Sequence, residues 1–450
     1  MMRNTRITLL SISACSLSLA PVAVAAAEQP SDHTLDTVVV TASKSGEVSA
    51  QNLPAAISVF SADKLQEGNF QSLEDLKGLT PGFAISRNGS AARLYLRGIG
   101  TNLDFIGSDP SVAVQVDGVY QARGYTLLDN LVNVARVEVL RGPQGTLYGR
   151  NSTGGTINII TQLPDASPQA KASVSAGNFA SRVVSASASG GLGSDQVIGS
   201  LALMKSGHDP YVENDNPAGI DGLVDDDSRR AAGSLRTQLG QQGELIFRAD
   251  YAHQDGTPAA YKTTGLGLTG APVPISALLK IPANPFHTHI SLTDPFRNQT
   301  SSGESAELNW QFAPSWSLTS LTAYRHLSFN GQEDTDGSNL NALVTQLDEA
   351  QNQWSEEFRV NYKKADISWV TGVFLFREQH DSDAAINILA TRQRTHYVAS
   401  NETNANALFS QATFALSKKL NGTLGVRASE EKKQFQNLNS VINTVSAAQI

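Results

Sequence analysis

From Lys171 onward, this 450-residue chain repeats one pattern: segments of about ten residues that alternate apolar and polar side chains, separated by turn-forming links. A period of two is the mark of strands with one apolar and one polar face. Candidate strands, approximate at both ends, are 171–177, 181–190, 197–207, 228–239, 244–253, 302–313, 315–328, 350–363, 367–379, 405–418 and 422–433. The segment 244–253 puts Leu245, Phe247, Ala249 and Tyr251 on one face and Arg248 and Asp250 on the other. In 302–313, Ala306, Leu308, Trp310 and Phe312 oppose Glu307, Asn309 and Gln311. In 350–363, Trp354, Phe358, Val360 and Tyr362 oppose Gln353, Ser355, Glu357, Arg359 and Asn361, and Glu356 spoils the apolar face. Segments 315–328 and 367–379 alternate poorly.

The links carry a second regularity. Those at 190–194, 240–243, 313–315, 364–366 and 419–421 are short, and between them lie long ones near 208–227, 254–301, 329–349 and 380–404. Long links at one end only suit a sheet sewn up and down through a bilayer, with closure removing exposed edges. Composition agrees with a water-lined barrel. Charged residues are 17%, against about 25% in soluble domains. The net charge of −8 lacks the basic footprint of a nucleic-acid binder.

The start of the chain reads as an export signal. Arg3 and Arg6 precede an apolar run, Ile7 to Ala20, and an A-x-A end at Ala25–Ala27, so residues 1–27 form a secretory signal. The single Cys, Cys15, follows a lipobox-like Ile12-Ser13-Ala14, but the apolar run continues well beyond it, which disfavours lipidation. The mature chain then has no Cys for a disulfide or a thiolate site. No other stretch approaches the ~18 apolar residues of a membrane helix. Residues 28–47 form a polar arm in which Thr37 to Val40 are β-branched with no partner strand within a hairpin's reach. Such a strand either adds to the edge of another protein's sheet or opens the next domain.

Residues 48–166 read as a small α+β unit. Ile57–Phe60 is a strand, Ser61 or Asp63 caps a helix carrying Leu65, and Ser72 begins another that Gly78 and Pro81 stop. Strands follow at Leu94–Gly98, Ser111–Gly118, Val137–Gly142 and Thr156–Thr161. A nucleotide cradle is not supported: Gly98-Ile-Gly100 lacks its third Gly, and Gly142-Pro-Gln-Gly145 lacks a Gly-Lys-Ser/Thr ending. Asp215, Asp221, Asp225, Asp226 and Asp227 lack the spaced calcium loop ending in Glu and read as a solvated acidic link. Two histidines at Phe286-His287-Thr-His289 do not make a metal site. No Ser–His–Asp set or carboxylate pair can be assembled from the sequence, so an enzyme is not expected.

Several ordered motifs carry a family resemblance. Leu35-Asp-Thr-Val-Val-Val-Thr-Ala-Ser43 resembles a TonB box. Leu53-Pro-Ala-Ala-Ile-Ser-Val-Phe60, Leu94-Tyr-Leu-Arg-Gly98, Val116-Asp-Gly-Val-Tyr120, Val134 to Gly149 and Asn151 to Ile160 resemble the plug of TonB-dependent outer-membrane receptors. Gln353–Arg359, Trp369–Phe376, Ala407–Phe414 and Leu424–Arg427 resemble their barrel segments.

The resemblance implies a mainly β fold: a small α+β plug domain, 48–166, inside a transmembrane antiparallel β-barrel, 167–450. The family's barrel has about 22 strands, and about 11 are present here. At this repeat the barrel needs roughly 530 residues after the plug, against roughly 280 in the chain. The expectation is therefore the N-terminal part of a longer receptor, either a sequencing fragment or a truncated gene.

By the same resemblance, the protein sits in the outer membrane of a Gram-negative bacterium, in contact with its lipid, as a monomer. It takes up a ferric siderophore or similar iron complex, with iron present only in the cargo and no cofactor of its own. Cobalamin, haem or oligosaccharide uptake, or a truncated and transport-inactive receptor, are the alternatives. The eight residues between signal and box, 28–35, are too few for a signalling domain, and the plug and box argue against a passive pore. Asp36, Thr37, Val38, Val39, Val40 and Thr41 would pair with TonB, energised by ExbB–ExbD. Arg97 and Arg141 stand where the family's arginines pair with wall glutamates, here Glu307 or Glu357, with Glu138 a local alternative. Ordinary buried salt bridging is the competing role for them.

Overall fold

A computed structural model describes residues 39–442, apart from 42, 43, 45, 47, 69, 103–105, 129–130, 195, 265–277, 341, 389–392 and 418–419. The export signal and Asp36, Thr37 and Val38 lie outside the described residues. No described helix is long and apolar enough to cross a membrane.

The larger layer, here called the wall, is an eleven-stranded antiparallel sheet in chain order. Its strands are Gln169–Ala176, Arg182–Ser194, Val197–His208, Asp226–Leu239, Gly243–Gly256, Phe296–Ala313, Trp316–Asp334, Leu343–Lys364, Ile367–Ile388, Gln393–Ser417 and Leu420–Ile442. Each of the candidate strands read from the sequence coincides with one of them. The first and last are edges, so the sheet is not closed. Phe247, Tyr251, Phe358 and Leu408 stand exposed on its outer face, which makes the apolar band a bilayer requires. Glu356, the residue out of pattern, accepts hydrogen bonds from the Ser320 and Thr322 hydroxyls.

Strands run further than the alternation indicates. The link expected at 329–349 narrows to the residues between Asp334 and Leu343, and within the one expected at 380–404 strands run on to Ile388 and begin again by Gln393. Beyond the bilayer both faces of a strand meet water, so the period-two signal fades while the hydrogen-bonded ladder continues. The long links after His208 and after Gly256 instead build a small three-stranded sheet together, Val212–Asn214 and Gly222–Leu223 from the first and His287–Thr288 from the second.

Against the inner face packs the plug. Its main sheet runs Ala56–Ser61, Val134–Arg141, Gly155–Thr161, Val112–Val116, Val119–Gln121. Only the Gly155–Thr161 and Val112–Val116 pair is parallel among these neighbours. Ser61 accepts from the Lys64 amide and caps the helix Ala62–Glu67, and Ser72 with Asp75 forms a capping box on the next turn. Leu73, Leu76, Leu96, Val137, Val139 and Ile157 fill its core. Two tight hairpins share one chemistry. Asp117-Gly118 and Arg97-Gly98 each hold two consecutive residues at positive φ, the backbone of a two-residue hairpin turn that glycine makes accessible.

Candidate functional site

The arm strand is not isolated. Val39–Val40 pairs antiparallel with Val48–Ser49, which corrects the expectation that no partner lies within a hairpin's reach. A two-residue strand is too short to show alternation, and its partner hides among Ser, Gly and Glu. Val40 is fully buried with Leu140, Leu147 and Tyr148 of the plug and Val370 and Phe409 of the wall, whereas Val39 is partly exposed. The Thr41 amide donates to Glu138 Oε1 at 3.0 Å. Arg136 Nε donates to the same oxygen at 2.8 Å, and its Nη2 to the Thr41 hydroxyl at 3.2 Å.

Three residues past Thr41, Lys44 enters the space between plug and wall. Its Nζ meets Glu357 Oε2 at 2.7 Å and Oε1 at 3.0 Å, with both side chains buried. The ammonium also lies 5.0 Å from the Tyr148 ring centre, within cation–π range. Burial pulls the Lys44 pKa below the usual lysine range, and Glu357 opposes that shift. Arg359 Nη1 also donates to Glu357 Oε1, at 2.9 Å.

A second buried pair joins Arg123 of the plug to Glu378 of the wall. Nε to Oε1 is 2.7 Å and Nη2 to Oε2 is 2.5 Å, a bidentate fork. Gln351 donates to Glu378 at 3.1 Å, and Gln353 donates to the Tyr120 carbonyl at 2.8 Å. Burial pushes the Tyr120 phenol up to about 12. Nearby, Asp109 takes Arg150 at 3.0 Å and Lys433 at 2.6 Å. Burial alone would raise the Asp109 carboxyl, but Arg150, Lys433 and Arg123 together hold it below its ordinary value.

A third contact is looser. Asp117 accepts the Thr161 amide and hydroxyl at 2.9 and 2.7 Å and faces Arg248 of the wall at 3.5 Å, while Arg248 donates to Glu307 at 2.8 Å. Burial raises the Asp117 pKa despite Arg248. This contact lines a polar cavity of about 750 Å³ that also touches Thr41, Lys44 and Arg136.

These positions correct the expected partners. Arg97 is exposed at the tip of its hairpin, its amide donating to the Gly82 carbonyl at 2.7 Å. No ion pair of Arg97 is found among the described residues, and its guanidinium lies near Gly142 of the plug. Arg141 donates to the Pro81 carbonyl at 3.5 Å, inside the plug. Glu138 is fully buried and serves Arg136 and Thr41. Glu307 and Glu357 do face inward, but their partners are Arg248 and Lys44. Sequence reasoning missed Lys44, Arg123 and Glu378. Arg123 had one available signal, a lone cation following the strand Val119–Gln121.

No cluster of three or more metal-ligating side chains occurs among the described residues. His287 Nδ1 is 2.7 Å from Asp215, Asp226 pairs with Arg297 at 3.2 Å and Asp227 with Lys205 at 3.5 Å.

A small plug seated against an antiparallel wall by buried ion pairs defines a class of outer-membrane receptor, and comparison with known proteins agrees. The TonB-dependent Receptor Plug Domain model matches residues 49–156, and the TonB dependent receptor-like, beta-barrel model matches 247–447. The chain belongs to the TonB-dependent receptors, a family of transport receptors of the Gram-negative outer membrane. It is 34% identical over 239 residues to the pesticin receptor of Yersinia pestis, covering 52% of this chain and 34% of that protein. It is 33% identical over 182 residues to the vitamin B12 transporter BtuB of Vibrio vulnificus, covering 39% of this chain and 28% of that protein. The crystal structure of the ferric yersiniabactin uptake receptor FyuA from Yersinia pestis superposes with a TM-score of 0.75 at 22% identity. That likeness covers 87% of this chain and 58% of FyuA. The chain thus spans well under two thirds of these relatives.

Proposed function

We propose that this chain serves TonB-dependent uptake of a ferric siderophore or similar iron complex. The observation that carries the proposal is the placement of the arm: Val40 and Lys44 are held by plug and wall at once, so a pull on the arm reaches both. The segment Asp36–Thr41 would add as a strand to TonB, with main-chain bonds giving grip and alternate side chains giving recognition. ExbB–ExbD would supply the work, and the receptor would act as a monomer. Similarity to receptors whose names carry iron chelates supports the iron complex. Similarity to a vitamin B12 transporter makes cobalamin the second reading.

The test is uptake of radiolabelled ferric chelate by cells carrying the chain, with and without TonB. Accumulation should require TonB while surface binding does not. Equal accumulation in both strains refutes the proposal, and labelled cobalamin entering in place of iron establishes the second reading.

A further inference from the structure

Resting on the uptake reading, we infer that the cavity above the plug takes a neutral ferric chelate carrying aromatic rings and rejects polyanionic ones. This cavity, of about 600 Å³, lies between the plug hairpin at Gly89–Ala91 and the ends of wall strands next to the long links. Tyr125, Phe296, Phe329, Tyr397 and Phe435 contribute aromatic rings to it. Tyr125 of the plug and Phe329 of the wall stack with centroids 4.4 Å apart, so plug and wall present one continuous aromatic floor.

The charged lining is of one sign. Glu333 and Glu349 line the cavity, and among the described residues no Lys, Arg or His does. Cations of the plug–wall seam are committed elsewhere: Arg123 to Glu378, Arg150 and Lys433 to Asp109, and Arg297 to Asp226. Glu349 has His380 at 3.1 Å, behind the lining.

Sites built for anions place arginine or lysine against the charge. Here a trianionic chelate would shed its hydration into a lining that offers Glu333 and Glu349 and, among the described residues, no cation to replace it, so its desolvation goes uncompensated. A neutral chelate loses little hydration, buries apolar area and stacks on the floor. A mostly apolar lining with few polar groups is also the usual build of a small-molecule site.

Three ferric probes separate charge from aromaticity: the tris-benzohydroxamate complex, neutral and aromatic; the tris-acetohydroxamate complex, neutral and aliphatic; and the tris-catecholate complex, trianionic and aromatic. Binding is read as radiolabelled iron retained by the full chain in outer membranes. The benzohydroxamate complex should bind at least about tenfold more tightly than either of the others. In the Glu333→Gln/Glu349→Gln variant its advantage over the catecholate complex should shrink by about threefold or more. Catecholate binding as tight as benzohydroxamate overturns the inference and leaves the uptake reading standing. Acetohydroxamate binding as tight as benzohydroxamate overturns the aromatic requirement. Retention of none of the three refutes the uptake reading itself, and this inference with it.

Discussion

Against the strands from Trp316 to Ser417 the plug is dry, and against those from Arg182 to Ala313 it is wet. On the dry side Val119 packs on Leu321 and Ala323, Tyr125 on Phe329, Tyr120 on Phe376, and Val40 with Tyr148 on Phe409. The two buried cation–carboxylate pairs, Arg123–Glu378 and Lys44–Glu357, lie there as well. On the wet side the interface opens into cavities of about 750, 330 and 150 Å³, whose wall residues come chiefly from those first strands and of which the two larger carry many polar side chains. Its one cross-contact between charged groups is Asp117 with Arg248, at 3.5 Å, among the described ion pairs. Packed apolar surface and desolvated pairs resist separation, whereas a water-lined seam parts with little lost. The plug is therefore held mainly from one side.

The largest effects should fall on the dry side. Glu378→Ala leaves the Arg123 guanidinium buried and uncompensated, a loss of about 3–5 kcal/mol. Asp117→Asn on the wet side keeps the Thr161 contacts and leaves Arg248 its partner Glu307, so it should cost about 1 kcal/mol or less. Denaturant unfolding of the two variants side by side checks the pair; equal losses would break the distinction between the two sides.

A Lys44→Ala/Glu357→Ala double-mutant cycle sharpens it further. Coupling of about 1–3 kcal/mol is expected of contacting groups, and a value near zero removes Lys44 from the anchor. Arg97→Ala with Glu357→Ala should show no coupling, because Arg97 sits at an exposed turn.

The smallest effect concerns Tyr120. Its folded pKa of about 12, raised by burial from an ordinary 10.0, means the neutral ring's contribution is complete below pH 10. That contribution is lost as pH rises through about 12. The phenolate absorbance missing in Tyr120→Phe should therefore appear near pH 12 in the native parent. Appearance near pH 10 would mean that water reaches the ring and that this part of the dry side is not dry.

The two sides also explain what the sequence made legible. Strands 243–256 and 296–313 alternate cleanly because lipid lies on one face and water on the other. Segments 315–328 and 367–379 alternate poorly for a physical reason: their inner faces, with Leu321, Ala323, Val370 and Phe376, touch the plug and are apolar as well. Poor alternation thus marked strands that meet the plug with apolar side chains, whereas 350–363 meets it with Gln353 and Glu357 and keeps its period. Glu357 was visible as an inward polar position in a clean strand. Glu378 was hidden in an apolar one, and Arg123 lies 255 residues from it, a separation no local pattern reports. Arg97 and Arg141 drew attention because they stand in motifs, yet Arg97 belongs to a hairpin turn whose demand is conformational. The pairing of Val39–Val40 with Val48–Ser49 was beyond reach because such short strands have no period.

Coupling of arm to cargo is the central claim, and Val39→Pro tests it most directly. Proline removes one backbone donor and restricts the residue before it, so the arm should no longer add as a strand to TonB. The account predicts loss of both TonB crosslinking and iron-chelate accumulation, with binding at the cell surface unchanged. Crosslinking and accumulation at the parent level would contradict it.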